Sequence, residues 1–245
     1  MRFENKTALI TGAAVGIGRA VAVKMAKEGA NLVLVDYNAE TLDKLAKELD
    51  FCKDKVLTVV CDVSNEKQAI DAVKSGEEKF GKIDILVNNA ALWRDWSGFV
   101  DTPLERWKMY FDINVFGAVS FTKAVLTGMI ERKYGKIINV ASVAGVYGNK
   151  NMAHYSATKG ALIAMTQALA KEVADKGVVV NAVSPGTVSP SETEDMDYVQ
   201  PNELNYMART GSDNENANLI CFLASNEAPY ICGQNIQIDG CRKII

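Results

Sequence analysis

The sequence predicts an α/β fold: seven parallel strands wound with helices on both faces, in a single domain spanning residues 1–245. Three observations carry this. Short runs rich in Val, Ile and Leu alternate with amphipathic stretches along most of the chain. The runs lack strict polar alternation, as strands covered on both faces do. The amphipathic stretches stop at Gly29, Gly81, Gly135 and Gly177, each just ahead of the next apolar run, where a helix C-terminal glycine belongs. Repeated β-α-β order with right-handed crossovers makes the sheet parallel.

In chain order, the expected strands are Lys6–Thr11, Asn31–Asp36, Val56–Cys61, Ile83–Asn88, Lys136–Ala141, Val178–Val183 and Asn235–Asp239. After the fourth, Thr102-Pro103-Leu104-Glu105 reads as a capping box with Pro at the first helical position, opening a long helix to about Arg132. A second long helix is expected over Met152–Asp175. Ser184 to Asn214 breaks the rhythm: it is polar, acidic and weakly periodic, with Pro185, Pro190 and Pro201. Such a stretch in a compact domain is expected to be a substrate-binding lid, here 184–214.

Composition narrows the function. With 48% hydrophobic residues and a net charge of -3, the chain is neither disordered nor basic enough to favour nucleic acid or an anionic membrane. No uninterrupted apolar run approaches the roughly 18 residues of a membrane span. The five cysteines form no C-x-x-C pair, which fits free thiols in a cytoplasmic protein. His154 is the only histidine, so a zinc site or a Ser-His-Asp triad lacks material, and no metal is expected.

The first strand runs into Gly12-Ala13-Ala14-Val15-Gly16-Ile17-Gly18, with a helix after it. Glycines there permit a tight turn and let backbone N–H groups approach a pyrophosphate at the helix N-terminus, which makes the fold a Rossmann-like dinucleotide binder. Asp36 closes the second strand, where a carboxylate accepts from both ribose hydroxyls and repels a 2′-phosphate. Ala13, Ala14, Val15 and Tyr37 offer no cation to a phosphate, so NAD is expected over NADP. Asp62 and Val63, ending the third strand, fall beside the adenine by the same geometry.

Tyr155 and Lys159 are four apart in a helical stretch and share a face. A phenol of ordinary pKa about 10 is a poor base near neutrality, and a neighbouring ammonium favours its ionised form. Ser142 closes the strand before them.

Thr11-Gly12-x-x-x-Gly16-x-Gly18, Asp62, Asn88-Asn89-Ala90, Asn114, Ser142, Tyr155 with Lys159, Pro185-Gly186 and Asn235 to Gly240 follow one another over essentially the whole chain. In that order and spacing the sequence resembles the short-chain dehydrogenase/reductase family in its compact single-domain form. The resemblance implies that Tyr155 is the general acid/base and that Ser142 steadies the substrate oxygen. It makes Lys159 the residue that lowers the tyrosine pKa and bonds the nicotinamide ribose. Asn114 would bend its helix and hold a relay water. Asn89 and Ala90 would border the adenosine ribose, and Val188, after Pro185-Gly186, the carboxamide. A homotetramer or homodimer packed through the two long helices is implied as well. Three positions depart from the pattern: Ala91 and Cys241 replace glycines, and Pro190 replaces a threonine for which Ser189 or Ser191 would stand in.

The substrate is read from an aromatic mouth: Trp93 and Trp96 after the fourth strand, Tyr147, Met152 and His154 beside the catalytic residues, and Met196, Tyr198, Tyr206 and Met207 in the lid. These predict a small-molecule alcohol or ketone that is bulky or cyclic, a hydroxysteroid first and a sugar or polyol next. The acidic lid, with Glu192, Glu194, Asp195, Asp197 and Glu203, weighs against docking an acidic carrier protein. Reduction of a 3-oxoacyl thioester is the alternative, and a catalytically idle NAD-binding redox sensor a third.

Overall fold

The computed structural model describes residues 1–189 and 195–243. The first half runs β1 (Thr7–Thr11), α1 (Gly16–Lys27), β2 (Asn31–Asp36), α2 (Ala39–Glu48), β3 (Val56–Val60), α3 (Glu66–Phe80) and β4 (Ile85–Asn88). The second continues through α4 (Leu104–Phe111), α5 (Gly117–Glu131), β5 (Gly135–Val140), α6 (Ala144–Tyr147), α7 (Ala153–Val173), β6 (Val178–Pro185), α8 (Asp213–Ala224) and β7 (Asn235–Ile238). The seven strands form one parallel sheet in the order β3-β2-β1-β4-β5-β6-β7. Strand order reverses where β1 pairs with both β2 and β4, with Leu9 opposite Val33 on one side and Leu86 on the other. A crevice opens there at the carboxyl ends of the strands.

Side-chain alternation divides each strand between two cores. Ile10, Leu34, Val87 and Val183 face α1 and α8, with Val21, Met25 and Ile220. Leu9, Val33, Leu86, Ile137 and Val180 face the other way, with Phe121, Val125 and Met129. This is why the strands read as continuous apolar runs. Their ends differ from expectation by up to two residues; β6 extends to Pro185 because Ser184 and Pro185 still register with Gln237 and Ile238.

Three local expectations are corrected. Thr102 caps nothing: its hydroxyl donates to Gly98 O at 2.8 Å, Pro103 becomes the N-cap, and α4 starts at Leu104. The long helix that follows is broken by a π-turn at Asp112–Phe116. Gly135 is not a helix stop but the first residue of β5; Lys133 takes the left-handed turn (φ 52°), and a Cβ at Gly135 would press within 2.8 Å of Met129 Cβ. Within the combined stretch Leu104–Glu131 an 18-residue window reaches mean hydropathy 1.5, long and apolar enough by length and composition to cross a membrane, although no single run announces it. Its α5 portion sends Phe121, Val125 and Met129 into the core.

The described part of the 184–214 stretch is less irregular than its sequence. Val188 bridges Gly211, Pro201 bridges Arg209, and α8 begins at Asp213 behind a capping box of Ser212 and Glu215. Pro190, Ser191, Glu192 and Glu194 lie outside the described residues.

Candidate active site

The nucleotide end is built around Thr11. Its hydroxyl accepts from Asn89 N at 3.0 Å and Ala90 N at 3.1 Å, and donates to Val87 O at 3.4 Å. Asn89 Nδ2 reaches back to Thr11 O (3.1 Å) and Gly12 O (2.9 Å), so the turns after β1 and β4 are sewn together. Gly12 is left-handed (φ 60°), and a Cβ there would stand 2.8 Å from Ala90 Cα; a Cβ on Gly18 would overlap Gly12 O. The N-cap of α1, Val15, makes no side-chain bond, and the first turn holds no acidic residue. Bare backbone with uncapped N–H groups at a helix start is what a pyrophosphate requires, so these residues fit a dinucleotide.

Asp36 is nearly buried at the end of β2; Oδ2 accepts from Ala14 N (3.0 Å) and Oδ1 from Asn38 N (3.1 Å). Tyr37 beside it is exposed. Asp62 is exposed and accepts from Ser64 N and Oγ, whereas Val63 is buried against Gly117. Gly16 (φ 57°) and Ile17 open α1. At the far side Gly186 N donates to Ile238 O and Val143 N to Pro185 O, which hold the turn after β6 against β7 and the Ser142 loop. Ser189 Oγ is engaged with Thr210 Oγ1 in a 2.7 Å hydrogen bond.

At the chemical end, Ser142 is buried where β5 ends; its Oγ accepts from Ala144 N at 3.1 Å and bonds the Tyr155 phenol. Burial pushes the Tyr155 hydroxyl up to about 12, against a smaller lowering by the Ser142 bond. Lys159, one turn along α7, is buried and pushed down to about 7 by burial; its Nζ donates to Val140 O at 2.7 Å and stands 5.7 Å from the Tyr155 ring centroid. Burial thus acts on the tyrosine against the lowering that the resemblance implies. Burial disfavours both charged forms, and the phenol keeps its proton at neutral pH.

Asn114 lies in the π-turn and is fully engaged. Oδ1 accepts from Leu92 N (2.7 Å), and Nδ2 donates to Leu92 O (3.0 Å) and Thr158 Oγ1 (3.1 Å). It thus ties the loop after β4 to α7 beside Lys159. Sequence reasoning missed three partners in this frame: Thr158, Gly145 and Thr11 in its hydroxyl role. A Cβ on Gly145 would come 2.5 Å from the Lys159 carbonyl carbon, so only glycine lets α6 sit this close to α7. Glycine three residues after Ser142 was the available signal.

The mouth residues divide. Trp93, Trp96, Tyr147, Tyr198, Tyr206 and Met207 are exposed, with Trp93 and Trp96 edge to face at 6.4 Å. Met152 is buried and Met196 packs on the α1–α8 core, so neither lines the mouth as expected. His154 is fully buried against Tyr110 (4.3 Å between centroids) and Trp107 (6.0 Å), and burial lowers its pKa, leaving a neutral packing residue. The lid carboxylates are used locally. Asp195 Oδ1 accepts from Asp197 N and Asp197 Oδ1 from Asn214 Nδ2, while Glu215, beyond the lid in α8, pairs with Arg209.

Residues 6–199 match the short chain dehydrogenase family. The chain is 40% identical to the 3-oxoacyl-[acyl-carrier-protein] reductase FabG of Thermotoga maritima, over 98% of both chains. It is 38% identical to the 3-oxoacyl-[acyl-carrier-protein] reductase of Synechocystis, over 96% of both, and 33% identical to that of Escherichia coli K12, over 98% of both. The crystal structure of a 3-ketoacyl-(acyl-carrier-protein) reductase from Brucella melitensis, complexed with NADH, superposes with a TM-score of 0.89 at 33% identity, over 97% of this chain and 98% of that one. Full-length identity to reductases of this kind overturns the expectation of a hydroxysteroid, sugar or polyol dehydrogenase, and an exposed aromatic mouth alone does not select a ring. The chain belongs to the short-chain dehydrogenase family and is an oxidoreductase that interconverts C=O and CH–OH groups with a nicotinamide dinucleotide.

Proposed function

We propose that the protein reduces 3-oxoacyl thioesters, borne on an acyl carrier protein, to 3-hydroxyacyl thioesters. The observation that carries this is the 33–40% identity to such reductases over nearly the full length of both chains.

When bound, a reduced nicotinamide supplies the hydride to the carbonyl carbon. The chain's own residues handle everything else. Ser142 Oγ donates to the carbonyl oxygen as negative charge gathers there, and Tyr155 Oη passes its proton to that oxygen, giving the alcohol. Lys159, buried beneath the ring, stabilises the phenolate left behind. Asn114 and Thr158 hold the helix that carries them. Gly12, Gly16, Ile17 and Gly18 would seat the pyrophosphate, Asp36 and Tyr37 the adenosine ribose, Asp62 and Val63 the adenine, and Asn89 and Ala90 the ribose edge. Pro185, Gly186 and Val188 would meet the nicotinamide side. Trp93, Trp96, Tyr147 and Tyr206 would flank the acyl chain, with 184–214 as the lid.

NADH is the proposed cofactor over NADPH, supported by the nearly buried Asp36 carboxylate at the end of β2. The exposed apolar residues Leu104 and Phe116, with Trp107 and Phe111 beside them, support self-association through α4 and α5 into a homotetramer. Five unpaired thiols fit a reducing cytoplasm.

The test follows nicotinamide absorbance with a 3-oxoacyl thioester and each dinucleotide. Consumption of NADH at a kcat/KM at least tenfold above that with NADPH is expected, and Asp36→Ala should close most of the gap. No turnover of the thioester sinks the proposed substrate. An unchanged cofactor ratio in Asp36→Ala removes Asp36 from its role. Sedimentation as a concentration-independent monomer would end the assembly proposal.

A further inference from the structure

Three segments that reach the substrate mouth meet at the short loop between α6 and α7. From the aromatic loop, Ser97 N donates to Asn151 O at 2.9 Å. Asn149 N donates to Ser156 Oγ at 3.1 Å, joining the loop to the residue after Tyr155. The C-terminal tail is the third: Arg242 Nη2 donates to Asn149 Oδ1 at 3.1 Å.

That same tail grips the stretch Leu204–Met207. Tyr206 N donates to Cys241 O (3.0 Å), Met207 N to Gly240 O (3.1 Å) and Lys243 N to Leu204 O (2.9 Å), with Asn205 and Arg242 paired as an antiparallel bridge. Asp239 Oδ1 accepts from Cys241 N and Arg242 N, shaping the turn that aims the guanidinium. Cys241 (φ 61°) and Ala208 (φ 54°) are both left-handed, a conformation that side-chain-bearing residues adopt only when the surroundings over-determine it. The hydrogen bonds on both sides do so here.

We propose that Arg242 is a positioning residue: through Asn149 it clasps Leu204–Met207 to the loop leading into the catalytic helix, and so sets the mouth that admits the acyl chain. The acyl part rests on the proposed function, whereas the clasp does not.

The experiment uses the full chain with Arg242→Ala, Asn149→Ala, the double variant and Asn149→Asp. Amide hydrogen exchange is read at 204–207 and 148–151, and the KM for a 3-oxoacyl thioester is measured beside kcat and NADH affinity. Loss of a charge-assisted hydrogen bond should speed exchange in both segments about tenfold in either single variant, with no further gain in the double. Asn149→Asp, which sets a carboxylate against the guanidinium, should keep exchange at or below the native rate. KM should rise about tenfold in Arg242→Ala, with kcat and NADH affinity within about twofold of native, the pattern of lost positioning rather than lost chemistry. Native exchange at 148–151 in Arg242→Ala, or additive effects in the double variant, would overturn the clasp. Faster exchange at an unchanged KM would overturn its role at the mouth. If the native chain turns over no 3-oxoacyl thioester, the proposed function falls, and the exchange measurement alone decides the clasp.

Discussion

The two ends of the active-site crevice are built to different tolerances. Around β1 and β4, the Thr11 hydroxyl and the Asn89 amide nitrogen both have backbone partners, and neither Gly12 nor Gly18 has room for a methyl group. At the mouth, Trp96 is 65% exposed and Tyr206 74%, and the loops carrying them are joined to the rest by single hydrogen bonds and short bridges. The cofactor end is over-determined by backbone and admits little change. The mouth is made of side chains and can vary without disturbing the sheet, so a shared chemistry coexists with different substrates in one fold.

Four changes break or sharpen that contrast. Tyr155→Phe should cost the most, about 10³-fold in kcat, because it deletes the proton donor while leaving the dinucleotide cradle alone. Cofactor affinity measured by fluorescence titration should stay within about twofold, and normal turnover would refute the assignment. Gly18→Ala should reverse the pattern. The added methyl collides with Gly12 O, and overpacking of this sort costs about 1–3 kcal/mol, or up to about a hundredfold in dinucleotide affinity. Native affinity in calorimetry would show the turn to be softer than its geometry.

The third concerns pH. Lys159 titrates at about 7 in the folded chain against a reference value of 10.5, so between these values the unfolded chain holds a proton that the folded one lacks. Stability therefore rises with pH across that window, and the full cost of the buried ammonium is felt below it. The Tyr155 phenol, raised from 10.0 to about 12, opposes this rise only above about pH 9, where the unfolded phenol begins to ionise. Without cofactor, Tm should rise by about 5 °C from pH 7 to pH 9, and Lys159→Met should flatten the rise. A parallel rise in the variant would assign it to other groups. The smallest effect belongs to the mouth: Trp96→Ala should raise the KM for the acyl thioester about threefold, with Tm and cofactor affinity unmoved. A loss of several degrees in Tm would make Trp96 a packing residue.

What was legible in the sequence follows the same divide. β2 falls on Asn31–Asp36 as read, because strands covered on both faces leave long apolar runs bounded by polar residues. The glycines of the first turn are legible because their requirement is local. The π-turn is not, since it depends on Asn114 reaching Leu92 and Thr158, 22 and 44 residues away. Thr102 looked like a cap because the sequence lists a hydroxyl without its target, which is Gly98 O. Met196 and Met207 share a residue type and a segment, yet one packs on the core and the other faces solvent. Likewise, a tally of acidic residues in the lid could not register that Asp195 and Asp197 are held by hydrogen bonds within the chain.

The π-turn at Asp112–Phe116 has a geometric consequence. One extra residue in a helix of 3.6 residues per turn advances everything after it by about 100°. The stretch Leu104–Glu131 is consequently out of phase with itself: Leu104 and Phe116 point outward, whereas Phe121, Val125 and Met129 turn to the sheet. The apolar side chains of the stretch are thereby split between two directions, one for the protein's own interior and one for its outer surface. Deleting a single residue within Asp112–Phe116 would bring the two halves into phase and rotate one of those faces off its target, so here the length of the chain, as much as its composition, decides what each side chain meets.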